Sequence, residues 1–348
     1  MVPNFAPVPK RLSTSDHART AATAILDALL PTKRRPRRST HLRASHPHSH
    51  SFIQPRNTFE VHDFTASHPH KNSLSSISFN ISPQALSLTR LGHSSVLLNC
   101  FGTIILFDPV LADRVGIELL GKTIGIDRYE PPILTFDDIP QPDFIVLSHA
   151  HFDHTDVPTL RHFAGKYPDA ITVVCAKNTQ DVIADLAWKN VVELDWEESL
   201  TFGNTTILAL KVIHNGWRCP WERDRANGHT ETGRSFNAYL VESQGKKIVF
   251  GGDTAWTEDF SALGNMGVDI AIMPIGAYQG YETLHCTPEQ ALDMARMMNA
   301  ETFVPIHFGA FQQSNEEPDE PLQRLLQSIS AYSPALALTS LGQSLTMF

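Results

Sequence analysis

Phe144-Ile145-Val146-Leu147-Ser148-His149-Ala150-His151-Phe152-Asp153-His154 decides how this 348-residue chain is read. An apolar run of strand length ends directly in the pattern H-x-H-x-D-H. In extended chain, His149 and His151 are two apart and point to one side, whereas the adjacent Asp153 and His154 diverge. One loop can therefore feed donors to two points in space, as a pair of cations requires.

Two cations need more than four donors. His214 follows the apolar run at 207–213, Asp253 follows 247–252 and His307 follows 303–306. A single histidine at a strand end is more often structural, with its hydrogen bonds satisfied. Imidazole, carboxylate and imidazole at three such places, added to H-x-H-x-D-H, point instead to a metal centre. Nitrogen and oxygen donors without a thiolate suit two Zn²⁺ ions and are compatible with Fe or Mn.

Short β-rich segments at 88–91, 95–99 and 103–107 read as a meander or hairpin pair. Further apolar runs at 144–147, 171–175, 238–241, 247–250 and 270–275 alternate with helical patterns. One helix is expected after Asp156, with Pro158 in its first turn. Another opens at Thr287, where Pro288 suits the first helical position and Gln290 completes a capping box. The class is α/β or α+β, with sheets held between helices.

Residues 1–83 read as a basic, His-, Ser- and Pro-rich arm with little core of its own, ahead of a catalytic domain at 84–348. Through residue 59 the arm carries ten Lys or Arg against Asp16 and Asp27. The formal charge of the whole chain is nevertheless −9, so the body is strongly acidic and nucleic acid is not an expected partner. The arm is open to peripheral contact with an anionic membrane or to organellar targeting. Seven histidines lie between His41 and His70 without ligand-like spacing and read as a polar tract. Four separated cysteines and no C-x-x-C argue for a reducing, cytoplasmic compartment. No run approaches the roughly 20 apolar residues that span a bilayer. The oligomeric state stays open, a homodimer included.

The ordered set H-x-H-x-D-H, His, Asp, His resembles that of the metallo-β-lactamase superfamily, over roughly residue 86 to the C-terminus. The resemblance implies an α+β fold: an αββα four-layer sandwich with a binuclear metal site at the edge of two β-sheets. It places His149, His151 and His214 on one metal and Asp153, His154 and His307 on the other, with Asp253 bridging. Within the superfamily the chain is similar to N-acyl-phosphatidylethanolamine-hydrolysing phospholipase D and its bacterial relatives. The matching pieces are Leu91-Gly92-His93-Ser94-Ser95, Phe107-Asp108-Pro109, Glu193-Leu194-Asp195-Trp196, Gly251-Gly252-Asp253-Thr254, Pro274-Ile275-Gly276-Ala277-Tyr278, His285 with Pro288-Glu289-Gln290-Ala291, and Ile306-His307-Phe308-Gly309. Residues 217–235 and 279–284 depart from that pattern.

This likeness implies hydrolysis of a phospholipid-like phosphodiester by a hydroxide bridging the two metals, with Asp253 as bridge and proton acceptor and Asp153 beside it. His285 is the expected residue for orienting the phosphate or protonating the leaving group. Tyr278 is expected either to donate a hydrogen bond to substrate or to form a wall of the core. Trp217 and Trp221 are candidates for an apolar mouth, and His93 and Asp108 for polar supports of the ligands. Lactone or carboxylic ester hydrolysis is the rival reaction, and a non-catalytic metal-binding protein is the rival from another class.

Overall fold

Strands whose successive side chains are all apolar must be covered on both faces, and the computed structural model, which describes residues 59–63, 79–129, 131–132 and 134–347, shows how that is met. The strands are β1 (Phe59–Asp63), β2 (Leu86–Arg90), β3 (Val96–Cys100), β4 (Thr103–Phe107), β5 (Arg114–Leu119), β6 (Lys122–Asp127), β7 (Phe144–Leu147), β8 (Thr172–Ala176), β9 (Asn190–Leu194), β10 (Ser199–Phe202), β11 (Thr205–Leu210), β12 (Ala238–Ser243), β13 (Lys246–Phe250), β14 (Ile270–Pro274), β15 (Thr302–Ile306), β16 (Ala335–Leu336) and β17 (Gln343–Met347). The helices are α1 (Val157–Lys166), α2 (Pro288–Met297) and α3 (Glu320–Ser328).

Eight strands form one sheet in the order β1-β17-β2-β3-β4-β7-β8-β9, and seven form a second in the order β10-β11-β12-β13-β14-β15-β16. The two pack face to face. Ile105, Phe107, Val146 and Val174 of the first meet Ile207, Tyr239, Phe250, Ile272 and Val304 of the second, and Phe107 stacks on Phe250 at 4.5 Å between centroids. The alternate residues Ile104, Leu106, Ile145, Leu147 and Val173 point the other way and pack against Leu160, Phe163 and Ala164 of α1. On the far side, Val249, Ala271, Met273 and Phe303 pack against Ala291, Leu292, Met294 and Ala295 of α2. The period-2 alternation of these strands therefore produces the four layers, α, β, β and α, that the family resemblance implies.

Both expected helix starts are present. The Asp156 side chain caps α1 by accepting from the Thr159 amide, and Thr287 and Gln290 close a full capping box at α2. Three readings change. Phe59–Asp63 lies inside the stretch assigned to the arm yet pairs antiparallel with β17, so the sheet extends beyond the boundary at 83. The run at 207–213 leaves the sheet after Leu210, because Lys211 and Ile213 face solvent, and His214 follows a short coil. The β5–β6 hairpin has no counterpart in the expected elements. The targeting, membrane and histidine-tract expectations fall almost wholly outside the described residues.

Strands β4, β7 and β8 run parallel in the first sheet, as do β13, β14 and β15 in the second. Their C-terminal ends face the same end of the sandwich, where ligand sites of parallel sheets form.

Candidate metal centre

Apart from His214, which follows a short coil after β11, each donor is delivered by the end of an element. His93 lies in the turn between β2 and β3, and Asp108 follows β4. Ser148 to His154 follow β7, Asp253 follows β13, His285 precedes α2, and His307 follows β15. Backbone geometry is unusual at these places. Asp108 and His307 have φ of 38° and 61°, a conformation held only where the surroundings over-determine it. Gly252 has φ of 56°, and a Cβ there would meet the Ser148 Cβ at 2.7 Å. Glycine at 252 thus lets the Asp253 segment close onto the β7 loop.

The seven predicted ligands converge. His149, His151, His214 and Asp253 present donor atoms that lie within 4.8 Å of one another, and Asp153, His154 and His307 form a second set of the same size together with His93. Asp253 Oδ2 stands between the sets. It lies 3.0 Å from His307 Nε2 and 3.1 Å from His154 Nε2, and 3.9 Å from His149 Nε2 and 3.8 Å from His214 Nε2. His151 turns Nδ1 inward, 2.9 Å from His149 Nε2 and 3.2 Å from His214 Nε2. On the other side, Asp153 Oδ2 lies 3.2 Å from both His154 Nε2 and His307 Nε2.

Charge and burial test whether cations fit. Both oxygens of Asp253 and the Nε2 of His154 are buried without a hydrogen-bond partner, a state that in native proteins calls for an ion or water. Burial drives His149 well below the ordinary histidine value, His151 to about 4 and His214 to about 3, which leaves neutral imidazoles with a free lone pair. Burial acts to raise Asp153 and Asp253, but His154 outweighs it and both carboxyls are held well below their usual range. Conversely, burial acts to lower His154 and His307, and Asp253 outweighs it, holding His154 well above its ordinary value and His307 at about 9. Without metal, protons on two imidazoles balance two buried carboxylates. Divalent cations bound by all these groups supply that positive charge directly and displace those protons. The residues fit a pair of metals.

A second layer orients the first. Asp108 accepts from the Ser148 amide at 2.7 Å and contacts the Ser148 hydroxyl at 2.5 Å and His154 Nδ1 at 2.6 Å. Ser148 Oγ also sits 2.9 Å from His149 Nδ1. One buried carboxyl therefore fixes the Nδ1 side of a ligand in each set, leaving both Nε2 atoms toward Asp253. Burial raises the Asp108 pKa, against the pull of His154 and Ser148. His214 Nδ1 is fixed likewise by the Leu284 carbonyl at 2.9 Å.

The remaining candidates separate. His285 joins the site: Nδ1 lies 3.8 Å from Asp253 Oδ2 without a hydrogen-bond partner, and burial lowers its pKa to about 3. His93 is more than a loop support, since its Nε2 is 3.4 Å from Asp153 Oδ2, both ring nitrogens are buried without a partner, and its ring packs 4.1 Å from that of His307. Trp217 stands at the margin, its ring 6.1 Å from His151. Tyr278 is not brought to the metal ligands. It is buried and its hydroxyl donates to Glu320 of α3 at 2.8 Å, as the core-wall alternative describes. Trp221 is 80% exposed. Gln313, which donates to Asp153 Oδ2 at 2.6 Å, went unread because a single glutamine in a loop carries no pattern.

A family model described as the β-lactamase superfamily domain matches residues 103–308, more than half of the chain and all seven ligands. The chain belongs to the metallo-β-lactamase superfamily. This metal-dependent hydrolase is 30% identical over 291 residues to N-acyl-phosphatidylethanolamine-hydrolyzing phospholipase D 1 of Caenorhabditis elegans, covering 78% of this chain and 75% of that one. It is 28% identical over 254 residues to the mitochondrial enzyme of the same description from Saccharomyces cerevisiae, covering 69% and 51%. A metal-dependent hydrolase of Bacillus cereus is 25% identical over 240 residues, covering 67% and 90%. In fold, a metallo hydrolase of Ignicoccus hospitalis superposes with a TM-score of 0.56 at 17% identity over 76% of this chain and 99% of that one. The diiron β-hydroxylase CmlA of Streptomyces venezuelae superposes with a TM-score of 0.53 at 17% identity, covering 76% and 54%. No helix among the described residues is long and apolar enough to cross a membrane.

Proposed function

We propose that this hydrolase cleaves a phosphodiester in a phospholipid-like substrate, as the names of its nematode and yeast relatives describe for those proteins. The observation that carries the reading is His285. It lies outside the expected ligand set, forms a third donor group with Asp253 and His307, and faces Asp253 in the site as the resemblance to those enzymes implies.

Held by His149, His151 and His214 on one side, Asp153, His154 and His307 on the other and Asp253 between, two Zn²⁺ ions would supply Lewis acidity toward phosphoryl oxygens and lower the pKa of water. The protein's own contribution is orientation and proton handling. Asp253 turns Oδ2 between the two sets, and its Oδ1, buried without a hydrogen-bond partner, is the atom left to accept a proton. His285, a neutral imidazole, receives or returns one within 3.8 Å of Asp253 Oδ2 and can hydrogen-bond a departing oxygen. Burial of the ligands excludes bulk water, which strengthens each of these interactions. Trp217 gives one apolar edge to the rim.

The test is a substrate panel with metal-loaded protein: N-acyl-phosphatidylethanolamine, bis-nitrophenyl phosphate and acyl lactones. Turnover of the phosphodiesters supports the reading. Activity confined to lactones defeats it in favour of carboxylic ester chemistry, and inertness across the panel defeats it in favour of a non-catalytic metal protein.

A further inference from the structure

We infer that Arg218 is a positioning residue for the metal centre: its guanidinium clamps the backbone on either side of His151, Asp153 and His154 and so sets the geometry of the two half-sites. Arg218 lies in the segment where the chain departs from the lipid enzymes' pattern. Its Nη1 donates to the Ala150 carbonyl at 2.7 Å and to the Thr155 carbonyl at 2.8 Å. Those two carbonyls bracket residues 151–154. The face of the guanidinium covers the Phe152 ring at 4.0 Å, in the middle of the bracketed stretch.

The loop's own hydrogen bonds do not replace this clamp. His154 and Thr155 amides donate to the His151 carbonyl at 3.1 and 2.8 Å, and the Thr155 hydroxyl donates to the His149 carbonyl at 2.7 Å. These bonds shape the turn but leave the Ala150 and Thr155 carbonyls to Arg218. A single nitrogen with two N–H bonds holds both at a fixed separation, and the planar group also packs on the ring, a combination that Lys lacks.

Arg218 is itself anchored. Its amide donates to Glu222 Oε2 at 2.7 Å, and the Glu222 carboxylate is gripped by Arg234 at 2.8 and 3.0 Å. The amides of Gly216 and Trp217 donate to Asp224 Oδ2 at 2.5 and 2.8 Å. The segment after His214, which extends from the second sheet, is thereby tied to the metal loop of the first. The packing of the two sheets sets the spacing of the donors at their strand ends, and this tie holds the loop between its two clamped carbonyls.

The two half-sites depend on it unequally. His149 is held by β7 ahead of the bracket, while His214 and Asp253 come from the other sheet, so the first set keeps three of its four donors without the clamp. The second set has Asp153 and His154 both inside the bracket. Loss of Arg218 therefore falls mainly on the second metal.

The experiment titrates metal-free protein with Co²⁺, following visible absorption, in wild type, Arg218→Met and Arg218→Lys. Wild type is expected to take up two equivalents. Arg218→Met is expected to bind the first as wild type does and the second about 10–100-fold more weakly, with an altered absorption band. Arg218→Lys should fall between them. Wild-type affinity and spectrum in both variants, or equal weakening of both equivalents, overturns the inference. If Arg218→Met lacks a native near-ultraviolet dichroism spectrum, Arg218→Lys decides alone: a weaker second equivalent supports the clamp, and wild-type behaviour overturns it. The inference rests on the metal centre and not on the substrate, and wild-type protein that takes up no cobalt overturns the proposed hydrolysis with it.

Discussion

Changing Asp108 to Asn keeps the shape of a fully buried side chain and alters one hydrogen-bonding atom. Asp108 Oδ1 accepts from the Ser148 amide, and Oδ2 faces both the Ser148 hydroxyl and His154 Nδ1. An Asn amide that keeps its oxygen toward the Ser148 amide turns its NH₂ toward His154 Nδ1. That imidazole must then accept at Nδ1 and carry its proton on Nε2, the atom that faces Asp253. The flipped Asn instead sets its NH₂ against the Ser148 amide. In the first case the Nε2 lone pair that a metal needs is taken up by a proton, and in the second a buried donor meets a donor, at a cost of about 1–3 kcal/mol in either. At 1.4 kcal/mol per tenfold, this corresponds to a loss of metal affinity of roughly 5–150-fold. The assay is competition with a chromogenic chelator on protein of native dichroism. Ser148→Ala is the matched control, because it cuts the link to His149 Nδ1 and leaves the Asp108–His154 contact intact, so weakening should fall on the first metal. An Asp108→Asn protein that holds both metals with wild-type affinity refutes the reasoning.

His285→Ala is expected to retain both metals and to lose about 10²–10⁴-fold in kcat; unchanged turnover on the true substrate removes His285 from the chemistry. Chelation should lower the thermal midpoint reversibly, since metal at about 1,000 times its dissociation constant contributes about 4 kcal/mol per site, and a midpoint indifferent to chelator and re-added Zn²⁺ speaks against bound metal. Burial raises the Cys100 thiol to about 11 and the Cys175 thiol to about 12 and raises Cys286 as well. Burial raises Cys219 too, but it alone of the four is half-buried and reachable, so alkylation of native protein at pH 8, read by mass spectrometry, should mark Cys219 first and spare the others until the pH rises toward those values. Rapid labelling of Cys175 at pH 8 contradicts the burial described.

How much of this was legible followed from distance along the chain. The loop at 149–154 is local, and its alternation alone assigns ligands to two sides. The ends of β13 and β15 were readable because each is a short apolar run that stops at a polar donor. The β5–β6 hairpin was not, because Gly116 and Gly125 stand opposite each other within it, where a Cβ would come within 2.1 Å of a carbonyl oxygen, and glycine signals a turn before it signals a strand. Strand β17 pairs with β2 from the opposite end of the chain, as Ser344 and Thr89 do, and no periodicity reveals such a partner. Two roles stayed open for Tyr278 because its place in a motif says nothing of Glu320, whose carboxylate takes its hydroxyl. Arg218 and Gln313 act on the ligands from loops without regular pattern, so only the fold brings them into view.

The central claim is that seven side chains from two sheets jointly hold two cations. Elemental analysis of native wild-type protein, beside Asp253→Ala shown to be folded, tests it most directly. Two equivalents of transition metal per chain in wild type, with marked loss in the variant whose carboxylate stood between both sets, is the expected result. Wild-type protein that is folded and carries no transition metal, even after dialysis against Zn²⁺, contradicts the account.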